Sequence, residues 1–290
     1  MTNRSVAVAD VRSRVRAGAR HLALDVLSVI SRRKQQSALA TNRVQNLYFH
    51  FLPESDTEQF LRLIRVLAEN HVFIPYSEAM DRIREGDIDQ PYLSISFDDG
   101  FESNIRAARL LADEGLSACF FVCPDMVGKN RQYLEEHFSG DLGIEKRMMS
   151  WDEIRSLVDM GHEIGSHTLD HSVLADLPPV EAQRQIEESK RILDSEVGET
   201  RHFAWPRGRF FHFGDTLATT VFRAGYRTCT SAERGAHLDT AAMDNFCVRR
   251  ENCVADWPLR HTLYLLARSV TKGRTNQGQW PTGWNVPDNA

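Results

Sequence analysis

The chain has 290 residues, of which 42% are hydrophobic and 26% charged, and its mean hydropathy is −0.40. This composition excludes a mainly disordered chain, a collagen-like repeat and a polytopic membrane protein. The net charge of −5 hides a division, because residues 1–47 carry nine Lys or Arg against two Asp, and the rest of the chain is acidic.

Residues 1–46 are predicted to form a basic, helical extension. Apolar residues recur at spacings of three and four between Val11 and Ile30, with arginines interspersed. One interpretation is a solvated helix packed on the body of the protein, or a partly ordered extension. The other is an interfacial helix whose basic face contacts anionic lipid or a partner. Nucleic acid is disfavoured as a partner, because the body is acidic and no recognition motif follows.

Residues 47–271 alternate between short buried strands and helices, and residues 272–290 are expected to be a polar tail, either loosely ordered or packed through Trp280 and Trp284. Ser77 and Ser150 are predicted helix N-caps, and Glu153 completes a capping box with Ser150. The alternation predicts an α/β fold with a closed or partly closed parallel barrel, while the absence of glycine-rich phosphate motifs disfavours a nucleotide-binding fold. Strands are predicted at 47–52, 92–97, 118–122, 162–166, 200–204, 226–230 and 246–250, and helices at 57–70, 78–84, 101–115, 151–160, 179–197, 213–224 and 258–270.

Side chains suited to catalysis follow three of these predicted strands. In β/α barrels the carboxyl ends of the strands share one rim, so these side chains should lie close together. Two His and one Asp can hold a divalent metal ion with positions open for water and substrate, and a second Asp can act as base on the metal-bound water. Backbone N–H groups in a tight Pro-Arg-Gly turn could bind an oxyanion, so the pattern predicts metal-assisted amide or ester hydrolysis. The residues concerned are Asp98 and Asp99, then His167 and His171, then Trp205, Pro206, Arg207 and Gly208.

These motifs resemble the polysaccharide deacetylases, carbohydrate esterase family four, over roughly residues 47–226. The resemblance rests on Ser-Phe-Asp-Asp-Gly-Phe at 96–101, Gly-His-Glu-Ile-Gly-Ser-His-Thr at 161–168 with His171, and Phe-Ala-Trp-Pro-Arg-Gly at 203–208. Ala204 stands where the family usually has an arginine, which is similar to the poly-N-acetylglucosamine deacetylase-like branch. The resemblance implies a distorted (β/α)7 barrel that hydrolyses the N-acetyl group of an amino sugar in a polysaccharide, glycolipid or precursor.

The same resemblance implies roles for individual residues. Asp98 is the expected general base, and one divalent ion, Zn²⁺ in the first place and otherwise Co²⁺ or Ni²⁺, is the expected cofactor. Arg207 is expected to offer its backbone N–H to the oxyanion. The expected metal ligands are Asp99, His167 and His171, and the expected substrate contacts are Trp205, Pro206, Gly208 and His212.

Two parts of the family's machinery are left open by the sequence. Arg249 or Arg250 could replace the arginine absent at position 204, and a solvated strand end is the other interpretation for either. The general acid could be His261, His237, Asp256, His167 or Asp98 itself, and His50 could line the pocket or belong to the core. An inactive carbohydrate-binding or scaffold protein of the same fold, or a deformylase or other amide hydrolase, is the alternative function.

The expected location is cytoplasmic, and contact of residues 1–40 with the inner face of the membrane is left open as an alternative. No secretory signal and no apolar run of eighteen residues is present, and the five cysteines lack the spacing of a zinc knuckle or redox pair. The expected partner is therefore an N-acetylated sugar, presented as polymer, glycolipid or precursor.

Overall fold

The computed structural model describes residues 18–137, 147–238, 244–276 and 278–287, and the predicted helical positions Val11 and Val15 lie outside these ranges. The helices are α1 (residues 18–30), α2 (Arg32–Leu39), α3 (Thr57–Ala68), α4 (Tyr76–Glu85), α5 (Ser103–Asp113), α6 (Arg131–His137), α7 (Trp151–Asp159), α8 (Pro179–Val197), α9 (Leu217–Arg223) and α10 (Leu259–Asn276). The strands are β1 (Arg43–Phe49), β2 (Val72–Phe73), β3 (Pro91–Phe97), β4 (Cys119–Val122), β5 (Glu163–Ser166), β6 (His202–Ala204), β7 (Thr228–Thr230), β8 (His237–Leu238), β9 (Cys247–Val248) and β10 (Arg250–Asn252).

The main strands form one parallel sheet in the order β10-β1-β3-β4-β5-β6-β7-β9, with β2 beside β3 and β8 antiparallel to β1. The sheet curls into a distorted barrel, because its two outer strands are consecutive in the chain. Only Arg249 separates β9, which pairs with β7, from β10, which pairs with β1. The predicted α/β fold with a distorted barrel is therefore confirmed, and the predicted last strand at 246–250 divides into two short ones.

The strands are buried on both sides, as parallel strands covered by helices must be. Every residue of β1 is buried, and the aromatic rings of Phe49, Phe97 and Phe120 stack in series with centroid separations of 5.4 and 5.1 Å. Helix α3 adds Phe60 and Ile64 from its inner face, and these side chains join the main core. Burial of these rings fixes the register of β1 against β3, on which the rim geometry depends.

Of the two predicted helix N-caps, the one at Ser150 is present in the structure and the one at Ser77 is not. Ser150 caps α7 through the predicted capping box with Glu153. The predicted cap at Ser77 is wrong, because α4 already begins at Tyr76 after the extended Pro75. The Ser77 hydroxyl instead lies 2.8 Å from Nε2 of His202, in a buried contact between α4 and β6.

Helix α1 lies against the barrel through α10. Its buried residues are Leu24 and Ser28, and Asp25 pairs with Arg260 and His261, at 2.5 and 2.6 Å. A helix packed on the body was one of the two interpretations of the sequence, and this contact agrees with it.

At the other end of the chain, α10 continues through the predicted boundary at Lys272 to Asn276. Beyond it, Trp280 and Trp284 stack near Phe213, with centroids 6.1 Å away in both cases. None of the described helices combines the length and apolar character that crossing a bilayer requires.

Candidate functional site

The predicted catalytic side chains meet at one rim of the barrel. Asp98 and Asp99 follow β3 directly, His167 follows β5, and Ala204 ends β6. The backbone N–H of Asp98 donates to the carbonyl of Phe49 at 2.9 Å, and that of His167 donates to the carbonyl of Val122 at 2.9 Å. Backbone pairing therefore holds both the carboxylate and the imidazole segments at the carboxyl ends of the strands.

Backbone strain concentrates in the same loops. Positive φ angles occur at Asp99 (76°), Thr168 (66°), His171 (67°) and Arg207 (63°), and the described residues contain only one other non-glycine case, Asn245. Such conformations cost about 1–3 kcal/mol each and persist where surrounding structure enforces them. At Asp99 the turn separates two adjacent carboxylates, so that Asp98 and Asp99 face different partners.

Asp99, His167 and His171 form a group that could hold a metal ion. Oδ1 of Asp99 lies 3.2 Å from Nε2 of His171 and 3.5 Å from Nε2 of His167, and all three ligand atoms lie within 4.8 Å of one another. Ligands at zinc–ligand distances of about 2.1 Å in tetrahedral geometry are about 3.4 Å apart. The observed separations of the carboxylate from the two imidazoles match that value.

The environment of these three residues also fits a metal. Oδ1 of Asp99 is buried and accepts no hydrogen bond of normal geometry. Nδ1 of His167 lies 2.7 Å from the carbonyl of Ala204, so this nitrogen carries the proton and Nε2 keeps its lone pair for a ligand bond. Burial alone would raise the pKa of Asp99, but the charge of His171 and the contacts with both imidazoles hold it well below the usual value.

Asp98 makes a bidentate ion pair with Arg250, which reaches the rim from β10. Nη1 and Nη2 of Arg250 donate to Oδ1 and Oδ2 of Asp98 at 2.7 and 2.9 Å. The guanidinium also donates from Nε to the carbonyl of Ser231 and lies over the ring of Tyr48, 4.4 Å from its centroid. Burial tends to raise the pKa of Asp98, but the charge and hydrogen bonds of Arg250 together with the charges of His167 and His50 leave the pKa lowered, so the carboxyl is ionised at neutral pH.

The two candidate arginines differ in role. Arg249 points away from Asp98, with its guanidinium 4.8 Å from the Phe210 ring centroid and an Nη2 hydrogen bond to the carbonyl of Gln279. Both arginines are buried, so the interpretation as a solvated strand end is wrong for each. Of the two candidates, Arg250 is therefore the one that contacts Asp98.

The third motif, residues 203–208, forms a turn whose side chains are mostly buried and does not form the wall of a binding site. Trp205 is fully buried and stacks on Phe213 at 4.4 Å, so its ring is not available to a ligand, contrary to the expectation of a substrate contact. Pro206 and Gly208 are buried as well, and a Cβ at Gly208 would collide with Ala232. These residues shape the turn that holds Arg207 exposed, with φ of 63°.

The surface beside this turn carries an exposed aromatic residue that the sequence reasoning did not single out. Phe211 is 75% exposed, and its ring contacts that of His212 edge-on at 4.1 Å. His212 is half-buried, with Nδ1 unpaired and a pKa lowered by burial. An exposed ring next to a polar imidazole is suited to a sugar ring, and the run Phe210-Phe211-His212 directly after the third motif was the available signal.

Several general-acid candidates are removed by their positions. His261 is fully buried and pairs with Asp25 of α1, and His237 accepts the backbone N–H of Arg249 at 3.0 Å. Asp256 lines a separate cavity beside α3. His50 is exposed directly after β1, and the pairing of Phe49 with Phe97 brings it next to Asp98. Its charge contributes to lowering the pKa of both Asp98 and Asp99.

Fold and site together define a parallel α/β barrel with a candidate metal-binding group and a paired carboxylate at its carboxyl rim. The chain belongs to the polysaccharide deacetylase family, whose sequence model matches residues 85–229. This range contains all three motifs on which the resemblance rested, and the predicted family is confirmed.

Individual relatives agree with the family. YxkH of Bacillus subtilis, a relative named for the same family, is 26% identical over 144 residues, which are 49% of this chain and 45% of that protein. The match therefore spans less than half of the length of that relative. IcaB from Ammonifex degensii has a similar fold, with a TM-score of 0.64 and 22% identity over 78% of this chain and 98% of its own. The Streptococcus pyogenes deacetylase PplD, whose structure contains acetate, has a TM-score of 0.62 and 17% identity over 77% of this chain and 98% of its own.

Proposed function

We propose that the protein is a metal-dependent hydrolase that removes the N-acetyl group from an amino sugar in a polysaccharide, glycolipid or precursor. The observation that carries the proposal is the convergence of Asp99, His167 and His171 next to a carboxylate, Asp98, held by Arg250. The family supports deacetylation of a carbohydrate, and the donor set supports one divalent ion, with Zn²⁺ as the first choice and Co²⁺ or Ni²⁺ as alternatives.

Asp99, His167 and His171 would hold this ion. When bound there, it lowers the pKa of water and polarises the acetyl carbonyl. Asp98 is ionised and fixed in position by two hydrogen bonds, so it can take a proton from the attacking water as general base. The backbone N–H of Arg207, in the strained turn after β6, is the proposed donor to the oxyanion.

We assign the proton for the leaving amine to His50. The pairing of Phe49 with Phe97 places His50 and Asp98 side by side at the ends of β1 and β3. His167, the other imidazole near Asp98, is occupied by its hydrogen bond to Ala204 and by its place in the ligand group. His50 is exposed and can exchange protons with solvent between turnovers.

The proposed sugar-binding surface consists of the exposed Phe211, the half-buried His212 and the side chain of Arg207. The arguments for an inactive scaffold were the missing arginine at Ala204 and the missing general-acid motif. The pairing of Arg250 with Asp98 and the proposed role of His50 support catalysis over carbohydrate binding alone. A cytoplasmic location stays a prediction of the sequence.

The test is acetate release from chitooligosaccharides and from nucleotide- and lipid-linked N-acetyl sugars, with and without a chelator and added Zn²⁺. Asp98→Asn should abolish turnover while the protein still binds metal, and His171→Gln should lose the metal. His50→Gln should lower kcat with metal content unchanged. Turnover by Asp98→Asn at the normal rate, or full activity of metal-free protein, would refute the mechanism.

A further inference from the structure

The side of α1 that faces away from the barrel is apolar. Leu22, Val26, Val29 and Ile30 are each between 53% and 73% exposed. Their spacing of i, i+4, i+7 and i+8 places them in one stripe along the helix. A continuous apolar stripe open to water is typical of a surface that binds a partner or a membrane.

The opposite side of α1 is fastened to the barrel, so the stripe cannot be buried by rotation of the helix. Leu24 and Ser28 are buried, and Asp25 is held by Arg260 and His261 of α10. Turning the apolar stripe inward would break both ion pairs. The exposed face is therefore imposed by the fold.

The charge around this stripe is positive. The basic residues that follow Ile30 after Ser31 are exposed and form no ion pair with any residue in the described ranges; they are Arg32, Arg33 and Lys34. Asp25 is the only acidic residue between positions 18 and 40, and it faces the barrel. The outer face thus combines apolar side chains with unpaired cations.

A basic cavity of about 320 Å³ lies between α1 and α10, on the flank of the same face. It is lined by Arg20, Arg234, Arg268 and Lys272, and no carboxylate is among its lining residues. Arg234 is paired with the buried Glu251, whereas Arg268 and Lys272 are exposed and unpaired among the described residues. The volume of this cavity falls within the range of about 300–1,000 Å³ found for small-molecule sites.

We infer that α1, the basic start of α2 and this cavity form a docking surface for a membrane rich in anionic phospholipid. The apolar stripe would enter the boundary between headgroups and acyl chains, and the cavity would take a phosphate-bearing headgroup. A second copy of the chain fits less well, because a symmetric contact through this face would bring the Arg32, Arg33 and Lys34 clusters together. The inference concerns binding alone and does not depend on the proposed catalytic activity.

The experiment is co-sedimentation of the full chain with phosphatidylcholine vesicles, with and without phosphatidylglycerol, at low and high salt. The wild-type protein should bind the anionic vesicles and be released by salt. V26E/I30E should lower the partition coefficient by at least about tenfold, because two charges replace apolar contacts. R268Q/K272Q should lower it by about thirtyfold, on the scale of about fivefold for each basic residue near an anionic surface.

Matched controls separate this surface from general effects. V158E/V180E makes the same change at exposed valines of α7 and α8, and R184Q/R191Q removes two exposed cations from α8. Both control variants should bind vesicles as the wild type does, and circular dichroism should be the same for all. The inference is overturned if the wild type does not bind anionic vesicles, or if controls and test variants lose binding equally. It is also overturned if sedimentation equilibrium shows a dimer that V26E/I30E dissociates while vesicle binding is absent.

Discussion

Replacement of Arg250 by Gln should destabilise the protein and move the acid limb of its pH–activity profile to higher pH. Arg250 and Asp98 are both buried, and the guanidinium makes two charge-assisted hydrogen bonds to the carboxylate. Removing one partner of a buried ion pair costs about 3–5 kcal/mol, because the other charge stays desolvated. For a domain of this size about 1 kcal/mol lowers Tm by about 2–4 °C, so a loss on the order of 10 °C is expected.

The effect on activity follows from the pKa of Asp98. Burial raises this pKa and Arg250 lowers it, so without Arg250 the pKa of the carboxyl must rise. A general base with a raised pKa is protonated over more of the acidic range, and the lower limb of the pH profile of kcat/KM should move to higher pH. R250K keeps the charge but not the bidentate geometry, and its limb should lie between those of wild type and R250Q.

The assay is acetate release as a function of pH, with thermal unfolding measured on the same samples. R249Q is the matched control, since Arg249 is an adjacent buried arginine that contacts Phe210 and Gln279 and not Asp98. An acid limb that is identical in wild type and R250Q, or a shift of the same size in R249Q, would refute the assignment of Arg250 to the base.

Two further changes test the packing and the buried charges. Gly165→Ala should lower the free energy of unfolding, measured in urea, by about 1–3 kcal/mol, because a Cβ there would overlap the ring of Phe121. Gly18→Ala, at a position with open space around it, should have no such effect. Equal stability of the two variants would contradict this packing. Burial lowers the pKa of His237 from 6.5 to about 3, with the charge of Arg249 adding to the effect. Below pH 6.5 the unfolded chain therefore binds a proton at His237 that the folded protein excludes. As the pH is lowered from 6.5 to 3, His237 should reduce the free energy of unfolding by about 1.4 kcal/mol for each pH unit. His237→Asn should show a shallower slope, and equal slopes would exclude His237 as the cause.

The rim residues could be found from the sequence because each follows a strand that ends abruptly. Asp98, Asp99 and His167 stand directly after runs of buried residues, and parallel strands bring such positions together without any knowledge of long-range contacts. The family resemblance then supplied the expected roles. What the sequence could not provide was the conformation of the turns, which separates the directions of two adjacent carboxylates.

The partner of Asp98 illustrates a second limit. Arg250 lies 152 positions away in the chain, and only the pairing of β10 with β1 brings it to the rim. Arg249 has the same residue type and the same burial, but alternation along the strand sends it to the other side. Sequence alone therefore narrowed the choice to two arginines and could not decide between them.

Helix α1 shows a similar limit for surfaces. Its 3.6-residue periodicity was visible, but periodicity does not say which side of a helix meets the barrel. On the side that packs, the carboxylate of Asp25 pairs with α10, and the hydroxyl of Ser28 donates to the carbonyl of Asp25 within α1. The more apolar side faces water. Specific ion pairs here outweighed the general tendency to bury apolar side chains.

The single-residue connection between β9 and β10 has a consequence for how the protein folds and fails. The segment β9–β10 joins the two edges of the barrel, because β9 pairs with β7 and β10 pairs with β1. The same segment carries Arg250, which pairs with Asp98. Closure of the barrel and orientation of Asp98 therefore depend on the same segment. An intermediate in which β9 and β10 are unpaired would contain the rim histidines but no oriented Asp98 carboxylate. Heat or denaturant that disrupts the pairing of β9 with β7 and of β10 with β1 should abolish the proposed activity before the rest of the barrel unfolds. Hydrogen exchange at Val248 and Asn252 should then increase as the activity is lost.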